Sequence, residues 1–286
     1  MSYRSEIGVP AGAQMIEADG VRLAVAREGS GPTVVCLHAI GHGGGDFDAF
    51  TTAVRGQFDV IRIDWPGQGR SAPDHQPASA ARYATLLAEV LRKLDVRQPI
   101  IIGNSIGGAA AILYASRNPV RSLVLCDTGG LVKVGFAVRL MCGLFVRFFA
   151  GGARGAWWYP AMFALYYRRL VLPSPAAATQ RKRIIAASRE LAPLWRDAWE
   201  SFRQKNADIR GVAAALDIPV WVAWAKDDRV IPLALCTPAI EAMKHARITV
   251  FAGGHAAFLE QPDAFAEAFL GFAGAERAPV KLVANV

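Results

Sequence analysis

The sequence predicts an α/β fold in which a mostly parallel, eight-stranded sheet has helices on both faces and carries a helical cap insertion. Continuous apolar runs, such as those over 33–38 and 219–225, are typical of strands that are buried on both sides. Helical stretches alternate with these runs, and this alternation favours parallel pairing with helices over the sheet. Asp19-Gly20 predicts the tight turn of an N-terminal hairpin over 13–28, which adds antiparallel strands at one edge.

The remaining elements continue the same alternation along the chain. Apolar runs of strand length lie at 58–63, 99–103, 122–126 and 247–251. Stretches with helical periodicity lie at roughly 45–55, 79–94, 106–117, 233–244 and 261–272. Together with the hairpin, these runs supply the strands and the two helical layers that the fold class requires.

Residues 130–210 interrupt this alternation, because they contain aromatic and basic helical stretches without a clear strand. We therefore expect a core domain made of 1–129 and 211–286, with 130–210 forming a helical cap, or lid, between two strands of the sheet. From Gly274 onward the chain resembles a loose tail, in which 280–283 could add a short packed segment.

The basic charge of the chain belongs mostly to this insertion. The net charge is +8, and residues 131–210 contain 14 Lys/Arg against 4 Asp/Glu. Three interpretations are open: a solvated surface, arginines that steer or bind an acidic substrate, or a stretch at 134–150 that lies on an anionic membrane surface. No nucleic-acid recognition motif accompanies the charge, so nucleic-acid binding is not expected.

Targeting and cysteine patterns indicate a cytoplasmic protein. Residues 1–6 do not resemble a secretory signal, and Arg139 and Arg147 interrupt the apolar stretch at 134–150 that comes nearest to a membrane span. The four cysteines have neither metal-ligand nor redox spacing and lie in apolar stretches, at 36, 126, 142 and 236. We expect buried thiols in a reducing compartment and no metal site.

A serine flanked by glycines is the candidate nucleophile. Ser105 follows the strand at 99–103 and precedes the helix at 106–117, within Gly103-Asn104-Ser105-Ile106-Gly107. A serine on a sharp strand-to-helix turn needs small residues two positions before and after it, and both are glycine. The turn puts the hydroxyl beside a helix N-terminus, where the N–H of Ile106 can stabilise an oxyanion.

A serine hydroxyl is a weak nucleophile and needs a base that a third group orients. His255 is the only histidine after the last predicted strand, and Gly253-Gly254 let its loop fold toward the serine. Asp228 follows the strand at 219–225, at the end of the sheet where open α/β folds gather their site residues. Asp227 and Asp127 remain alternatives for the acid.

Two loops that follow strands are rich in glycine. After the first long parallel strand, Gly41 to Gly45 predict an adaptable loop, which His38 is expected to order, while His42 either touches substrate or lies in solvent. The loop 64–71 predicts a tight turn that Asp64 anchors. It lacks the full spacing of a dinucleotide site, so no nucleotide is expected there.

Together these segments resemble the cap-bearing branch of the α/β-hydrolase superfamily. The resemblance covers nearly the whole chain outside 130–210 and rests on LHAIG at 37–41, DWPGQGRS at 64–71, GNSIGG at 103–108, DDRVIP at 227–232 and GGHAAFLEQP at 253–262. It implies an α/β-hydrolase fold with Ser105 as nucleophile, His255 as base and Asp228 as acid. It also implies that the main-chain N–H of Ile40 is a second oxyanion donor beside that of Ile106.

Departures from the family pattern bear on the reaction. The family usually has glycine where Ala39 stands and often where Ala225 stands. The nucleophile is serine and not aspartate, which argues against haloalkane dehalogenases and epoxide hydrolases. The stretch from GNSIGG onward resembles the carbon–carbon bond hydrolases of aromatic ring-fission pathways, but those enzymes usually have Trp where Ala256 stands.

Aromatic residues in the insertion predict an apolar pocket. Trp157, Trp158 and Phe163 belong to a group at helical spacing, in which some side chains can line an acyl or aryl site while others pack the cap onto the core. We expect substrate contacts from these three residues and from His38 and Phe258.

The sequence thus predicts a serine hydrolase that cleaves a carboxylic ester of a small apolar or aromatic molecule through an acyl-enzyme and needs no cofactor. The alternative is a carbon–carbon bond hydrolase acting on a vinylogous diketo acid, which a cap arginine bound to the substrate carboxylate would favour. A non-catalytic ligand-binding or accessory protein on the same fold is a third hypothesis, although binding alone would not require Ser, Asp and His in register. The sequence makes no prediction about oligomeric state.

Overall fold

Eight strands form one sheet in the computed structural model, which describes residues 3–275. They are β1 (Gln14–Ala18), β2 (Val21–Gly29), β3 (Thr33–Leu37), β4 (Asp59–Ile63), β5 (Ile100–Asn104), β6 (Ser122–Cys126), β7 (Val220–Ala225) and β8 (Ala246–Phe251). Their order across the sheet is β1-β2-β4-β3-β5-β6-β7-β8. β2 pairs antiparallel with both of its neighbours, and the other pairings are parallel. The predicted mostly parallel, eight-stranded sheet is confirmed.

The N-terminal hairpin has its turn at the predicted Asp19-Gly20. The two residues have positive φ angles, 43° and 80°, which a two-residue turn between twisted strands requires and which Asp and Gly tolerate. Ala18 faces Val21 directly across this turn. The register places Ile16, Ala18, Val21 and Leu23 in the core on one side of the sheet.

Helices cover both faces of the sheet, and each face has its own core. In chain order they are α1 (Asp48–Val54), α2 (Ala80–Lys93), α3 (Ile106–Ala115), α4 (Phe136–Ala153), α5 (Tyr159–Tyr166), α6 (Ala178–Ala186), α7 (Ser188–Phe202), α8 (Arg210–Ala214), α9 (Leu233–Glu241), α10 (Ala257–Glu260) and α11 (Pro262–Ala275). Successive strand residues point to opposite faces. Val35 and Leu37 of β3 therefore join the core under α2 and α3, whereas Val34 and Cys36 join the core under α1 and α11.

Five helices, α4 to α8, lie between β6 and β7, and residues 127–219 contribute no strand to the sheet within the described chain. Aromatic stacking joins two of them: the ring centroids of Phe145 in α4 and Trp199 in α7 are 4.2 Å apart. Those of Phe149 and Trp195, farther along the same helices, are 5.6 Å apart. These helices occupy the stretch predicted as the cap, and the division into core and cap domains stays a prediction.

By length and composition, α4 is the one helix within residues 3–275 that is apolar enough to cross a membrane. Two arginines interrupt it, as the sequence indicates, and α7 packs along one side of it. Only 22 % of the helix is buried inside the fold, however, so much of its apolar surface is exposed.

The four cysteines are buried free thiols, as predicted. Burial raises the pKa of Cys142 to about 11, so its thiol is uncharged at neutral pH. The tail segment 280–283 lies outside the described residues.

Candidate active site

Ser105 lies on the sharp turn between β5 and α3, in a backbone conformation that few residues adopt. Its φ is 53° and its ψ is −117°. The neighbouring strand holds this conformation, because the Ser105 N–H donates to the carbonyl of Cys126 at 3.0 Å and the Gly129 N–H donates to the Ser105 carbonyl at 3.1 Å. Strained backbone of this kind persists only where the surrounding structure determines it, and it is typical of functional sites.

Close packing explains the two glycines that flank the serine. A Cβ on Gly103 would lie 2.6 Å from the carbonyl oxygen of Gly107. A Cβ on Gly107 would lie 2.4 Å from the carbonyl oxygen of Leu37, at the end of β3. Because backbone atoms cannot yield as side chains do, these positions accept only glycine, as the sequence argument requires.

His255 and Asp228 form a buried pair at the carboxyl end of the sheet. His255 Nδ1 lies 2.8 Å from Asp228 Oδ2. The other carboxylate oxygen, Oδ1, accepts the main-chain N–H groups of Val230 at 2.7 Å and Ile231 at 2.9 Å. These bonds fix the carboxylate, and a neutral imidazole that donates from Nδ1 keeps an accepting lone pair on Nε2. Asp227, the neighbouring alternative, is exposed.

The electrostatic surroundings of His255 favour its protonated form. Burial lowers the pKa of the imidazole, but the carboxylates of Asp228, Asp127 and Glu260 outweigh it and raise the pKa to about 8. Among the groups that raise the pKa of His255, Asp228 has the largest effect, first through its charge and then through the hydrogen bond. A base with a pKa near the working pH is well suited to both accepting and returning a proton.

Two residues that sequence reasoning missed, Asn104 and Glu260, bond to the loop that carries His255, and Asn104 lies next to Ser105 in the turn. Asn104 Nδ2 donates to the His255 carbonyl at 3.0 Å and to the Cys126 carbonyl at 3.1 Å. Glu260 Oε2 accepts the N–H groups of Gly254 at 2.6 Å and His255 at 3.2 Å. Both residues lie inside the recognised motifs GNSIGG and GGHAAFLEQP, which was the available signal.

Asp127 places a third buried carboxyl group beside this pair. One ligand atom of Asp127, one of Asp228 and one of His255 lie within 4.8 Å of one another, a spacing that could also hold a metal ion. Asp127 Oδ1 accepts the N–H of Ala225 at 2.8 Å, whereas Oδ2 has no hydrogen-bond partner among the described residues. Since Nδ1 of His255 already binds Asp228, we interpret the trio as an acid–base group.

The buried position of Asp127 disfavours its ionised form. Burial, reinforced by the charge of Asp228, raises the pKa of Asp127 well above its ordinary value. Asp228 has the largest charge effect on the pKa of His255 and also binds its ring directly, whereas Asp127 has a smaller effect of the same sign.

The loop after β3 brings Ile40 to the same cavity as Ser105. The next residue, Gly41, has a φ of 73° and donates its N–H to Gln68 Oε1 at 2.5 Å. A Cβ on Gly41 would lie 1.9 Å from the ring of Trp195 in α7. The glycines here serve close packing and not the adaptability expected from the sequence, because Gly43 likewise lies against the backbone of Ile7.

The two histidines of this loop are both buried and bonded. His38 Nδ1 lies 2.6 Å from the Ala39 carbonyl, and its Nε2 accepts the Trp65 N–H at 2.9 Å. Burial lowers the pKa of His38 to about 4, so it orders the loop as a neutral ring. His42 is neither solvated nor at the cavity: its Nδ1 lies 2.5 Å from Asp46 Oδ2.

Asp64 anchors the following loop, as the sequence predicts. Its carboxylate accepts main-chain N–H groups from three segments: Gly44 at 2.7 Å, Arg70 at 2.8 Å and Val9 at 3.1 Å. Burial raises the pKa of this carboxyl to about 6 despite these bonds. The carboxylate therefore joins the N-terminal segment to both glycine-rich loops.

A cavity of about 410 Å³ opens beside Ser105 and Ile40, between the carboxyl end of the sheet and helices α4 and α7. Its walls are mostly apolar and include Val134, Val138, Met141, Ala198, Trp199, Phe202, Ile231 and Leu235. Among the described residues, Arg229 is the one charged residue that lines it. The cavity suits an apolar group that presents a polar bond to Ser105.

The aromatic residues expected to contact substrate lie elsewhere. Trp157 is 87 % exposed, while Trp158 packs on Phe148 and Phe258 stacks on Phe47. Phe163 is buried against Tyr167. Neither these four residues nor His38 lines the cavity, whose aromatic wall comes from Trp199 and Phe202 instead. Helical spacing indicated an aromatic face but not what that face packs against, which depends on the neighbouring helices.

The comparison with known families agrees with this geometry. The sequence pattern described as the alpha/beta hydrolase family matches residues 34–268. The chain belongs to this family. Membership, together with the sheet order, confirms the α/β-hydrolase fold inferred from the motifs and supports a hydrolase acting on a small molecule.

Relatives of this α/β hydrolase are named for different substrates. It is 27 % identical over 271 residues to the pimeloyl-[acyl-carrier protein] methyl ester esterase of Stenotrophomonas maltophilia, which covers 85 % of this chain and 93 % of that relative. It is also 27 % identical over 263 residues to the 2-hydroxy-6-oxononadienedioate/2-hydroxy-6-oxononatrienedioate hydrolase of Cupriavidus pinatubonensis, covering 85 % and 86 %. Among solved structures, an esterase from Exiguobacterium antarcticum superposes with a TM-score of 0.77 at 19 % identity, covering 92 % and 98 %.

Proposed function

We propose that this α/β hydrolase cleaves a carboxylic ester through an acyl-enzyme formed on Ser105. The observation that carries the proposal is that Ser105, on a strained turn, lies at the same end of the sheet as the buried His255–Asp228 pair. Asn104, next to Ser105, donates a hydrogen bond to the main chain of His255. The apolar cavity beside Ser105 suits an apolar or aromatic acyl or alcohol group. The likeness to a methyl ester esterase supports the choice of bond.

In the first half-reaction, Ser105 Oγ attacks the ester carbonyl carbon while His255 Nε2 takes the hydroxyl proton. Asp228 holds the ring with Nδ1 toward the carboxylate and stabilises the imidazolium. The main-chain N–H groups of Ile40 and Ile106 are the proposed donors to the tetrahedral oxyanion. When the oxyanion collapses, the bond to the alcohol oxygen breaks, and His255 returns the proton to the leaving alcohol.

In the second half-reaction, water attacks the acyl-enzyme and gives its proton to His255. The second tetrahedral intermediate uses the same oxyanion donors and collapses to release the carboxylic acid. His255 then returns the proton to Ser105 Oγ. Each step uses groups of this chain and water.

The predicted cap belongs to the same proposal. We propose that 130–210 covers the site, because α4 and α7 supply much of the cavity wall. Contact of its basic helices with an anionic membrane surface, one of the three sequence interpretations, fits an ester substrate, since membrane lipids carry carboxylic esters. Buried free thiols are in keeping with the predicted cytoplasmic location.

Labelling with a fluorophosphonate probe tests the nucleophile. Ser105 Oγ would attack the phosphorus with loss of fluoride, so we expect stoichiometric labelling that Ser105→Ala abolishes. Ser116→Ala, which removes an exposed hydroxyl at the end of α3, is the matched control and should label normally. If the wild-type protein does not label, the alternative of a non-catalytic binding protein on the same fold gains over the enzyme.

Carbon–carbon bond hydrolysis is a second candidate, because Arg229 puts one guanidinium at the cavity that could bind a substrate carboxylate. The likeness to the hydrolase from Cupriavidus pinatubonensis supports it too. A rate panel of acyl esters of increasing chain length, run beside a ring-fission product, separates the two. Turnover of the ring-fission product alone, with loss in Arg229→Ala, would replace the ester assignment.

A further inference from the structure

Helices α4 and α5 and the segment between them carry a group of large apolar side chains that are exposed among the described residues, 3–275. We call this group the outer face, and it comprises Phe136, Leu140, Met141, Leu144, Trp157, Met162 and Leu165. Phe136 and Trp157 are 83 % and 87 % exposed, which is unusual for rings of this size. The outer face contains seven of the twelve exposed large apolar side chains of the described residues, so the exposure is local and not general.

The outer face is continuous along each helix and across their junction. Phe136, Leu140 and Leu144 are spaced by four, which aligns them on one side of α4. Met162 lies between Trp158 and Tyr166 on α5 at the same spacing. The rings of these two residues approach α4, since Trp158 lies 5.8 Å from Phe148 and Tyr166 lies 5.8 Å from Phe145. Met162 therefore borders α4.

The charge around the outer face has one sign. Residues 128–189 contain ten Lys/Arg and no Asp or Glu. Six of these cations flank or interrupt the outer face and are exposed, and none of them forms an ion pair with any residue in 3–275: Lys133, Arg139, Arg147, Arg154, Arg168 and Arg169. Apolar side chains set among unpaired cations are the pattern of a helix that lies in a bilayer interface.

The outer face also lies next to the way into the cavity. Ala137 and Met141 line the cavity beside Ser105 and are themselves exposed. They lie on the side of α4 adjacent to Leu140 and Leu144, roughly 20° to 100° around the helix by its rotation per residue. Met141 thus belongs both to the outer face and to the cavity wall.

We propose that the outer face docks this protein on an anionic lipid bilayer, from which the site takes a lipid-borne acyl ester. This inference rests on the proposed ester hydrolysis for its substrate, but not for the docking itself. In the bound state the apolar side chains enter the boundary between headgroups and acyl chains, and the six cations lie at the level of the lipid phosphates.

Charge decides between a bilayer and a second copy of this chain as the occupant. A symmetric dimer would bring the same cations against each other, and residues 128–189 offer no carboxylate to neutralise them. Anionic phospholipids supply that negative charge and an apolar layer together. The bilayer is therefore the partner that matches both the apolar side chains of the outer face and the cations around them.

Co-sedimentation with large unilamellar vesicles tests the docking. We expect the full-length protein to bind vesicles of phosphatidylglycerol and phosphatidylcholine in equal amounts, and to bind pure phosphatidylcholine vesicles at least about tenfold more weakly, since each cation near an anionic surface contributes roughly fivefold in partitioning. Raising the salt concentration should weaken the binding to the anionic vesicles. Equal binding to both vesicle types, or to neither, would overturn the proposal.

Two pairs of matched variants locate the surface. Leu140→Glu should abolish vesicle binding, whereas Ile248→Glu, at a similarly exposed position on β8 (56 % against 48 %), should not. Arg139→Glu with Arg147→Glu should weaken binding by at least about 25-fold. Arg117→Glu with Arg247→Glu makes the same change of net charge away from the outer face, at exposed positions that form no ion pair within residues 3–275, and should have a much smaller effect. Equal losses in test and control variants would show that net charge alone drives binding, against the proposal.

Hydrolysis of a water-soluble short-chain ester separates docking from catalysis. The Leu140→Glu variant should keep wild-type rates on such an ester and lose activity only on an ester embedded in the anionic vesicles. If the wild-type protein binds vesicles but does not hydrolyse either ester, the docking stands and the proposed function fails. If Leu140→Glu instead converts a dimer to a monomer in sedimentation velocity and vesicles are not bound, the outer face is a self-interface and the proposal is wrong.

Discussion

The carboxyl end of the sheet and the outer face differ in how their polar and apolar groups are partnered. Around His255, buried polar groups are held by specific partners, such as the two N–H groups on one oxygen of Asp228. On the outer face, the six cations form no ion pair within residues 3–275, and the rings of Phe136 and Trp157 are 83 % and 87 % exposed. The first region is organised for positions accurate to a fraction of an ångström, which chemistry requires. The second offers area and charge, which a fluid partner requires.

This difference predicts where single atoms matter. In the site, removing one oxygen should change the rate by orders of magnitude, because a buried network is lost with its geometry. On the outer face, truncating a single side chain should change vesicle binding only slightly. Introducing a negative charge, or removing much of the apolar area, should weaken it strongly. The following tests challenge the first half of the comparison, in order of expected effect.

The largest effect is expected from Ser105→Ala. Without the nucleophile, kcat on an activated ester should fall by about 10⁵-fold or more, since the remaining groups can only bind and polarise the carbonyl. Steady-state kinetics measures this, and circular dichroism establishes that the variant folds. A loss of less than about tenfold would show that Ser105 is not the nucleophile, and the contrast between a catalytic region and a docking region would then fail.

The two buried carboxyl groups should behave differently when each is made an amide. Asp228→Asn should lower kcat by about 10⁴-fold, because the amide favours the wrong tautomer of His255. Asp127→Asn should lower it by less than about tenfold, because an amide has nearly the same shape and its oxygen can still accept the Ala225 N–H. Comparable losses in both variants would instead show that the two carboxyl groups act as one unit.

Packing between the loop after β3 and α7 should be sensitive to one methyl group. Gly41→Ala puts a Cβ into Trp195 at a position with φ of 73°, so we expect a loss of about 3 kcal/mol in the free energy of unfolding. Gly211→Ala is the matched control, since a Cβ there meets nothing within 4 Å and alanine favours helix α8 by about 0.5–1 kcal/mol. Urea denaturation measures both changes, and equal stability of the two variants would contradict the packing argument.

The pH dependence of kcat/KM should show the raised pKa of His255, to which Asp228 contributes most. His255 acts as a base only when neutral, so kcat/KM should fall about tenfold per pH unit below a midpoint near 8. Because this pKa is raised above its usual 6.5, protonated His255 contributes ~2 kcal/mol of stability below pH 6.5, and the contribution is lost as the pH rises through about 8. Asp127→Asn should lower the midpoint less than Asp228→Asn does, because Asp127 raises the pKa of His255 less than Asp228 does. A midpoint below 6.5 in the wild-type enzyme would contradict the dominance of Asp228.

Prediction from sequence succeeded where a local pattern has a single structural solution. The Asp19-Gly20 turn, the apolar runs of β3 to β7 and the small residues around Ser105 each have one low-energy arrangement. For the same reason, Asp64 could be assigned as an anchor from its loop alone. Its exact partners, Val9 among them, come from segments distant in the chain and could not be inferred.

Prediction was weakest in the helices between β6 and β7. Their aromatic spacing indicated amphipathic helices, but Phe163 and Trp158 pack among neighbouring rings, and Trp157 is exposed. Helical periodicity gives the angle of a side chain about its own axis and not the neighbour on that side. The cavity wall therefore could not be identified before α4 and α7 were seen together.

The sequence by itself determined the fold class, the family and the residues that end the strands of the sheet, because periodicity, turn chemistry and short motifs are local. Only the tertiary structure decided that Asp228, and not the exposed Asp227, holds His255, that Asp127 is buried beside them, and that Asn104 and Glu260 fix the histidine loop. It alone also decided which apolar residues of α4 face the cavity and which face outward. The distances between these residues and the burial of their side chains depend on packing between segments far apart in the chain, and a local sequence pattern does not specify that packing.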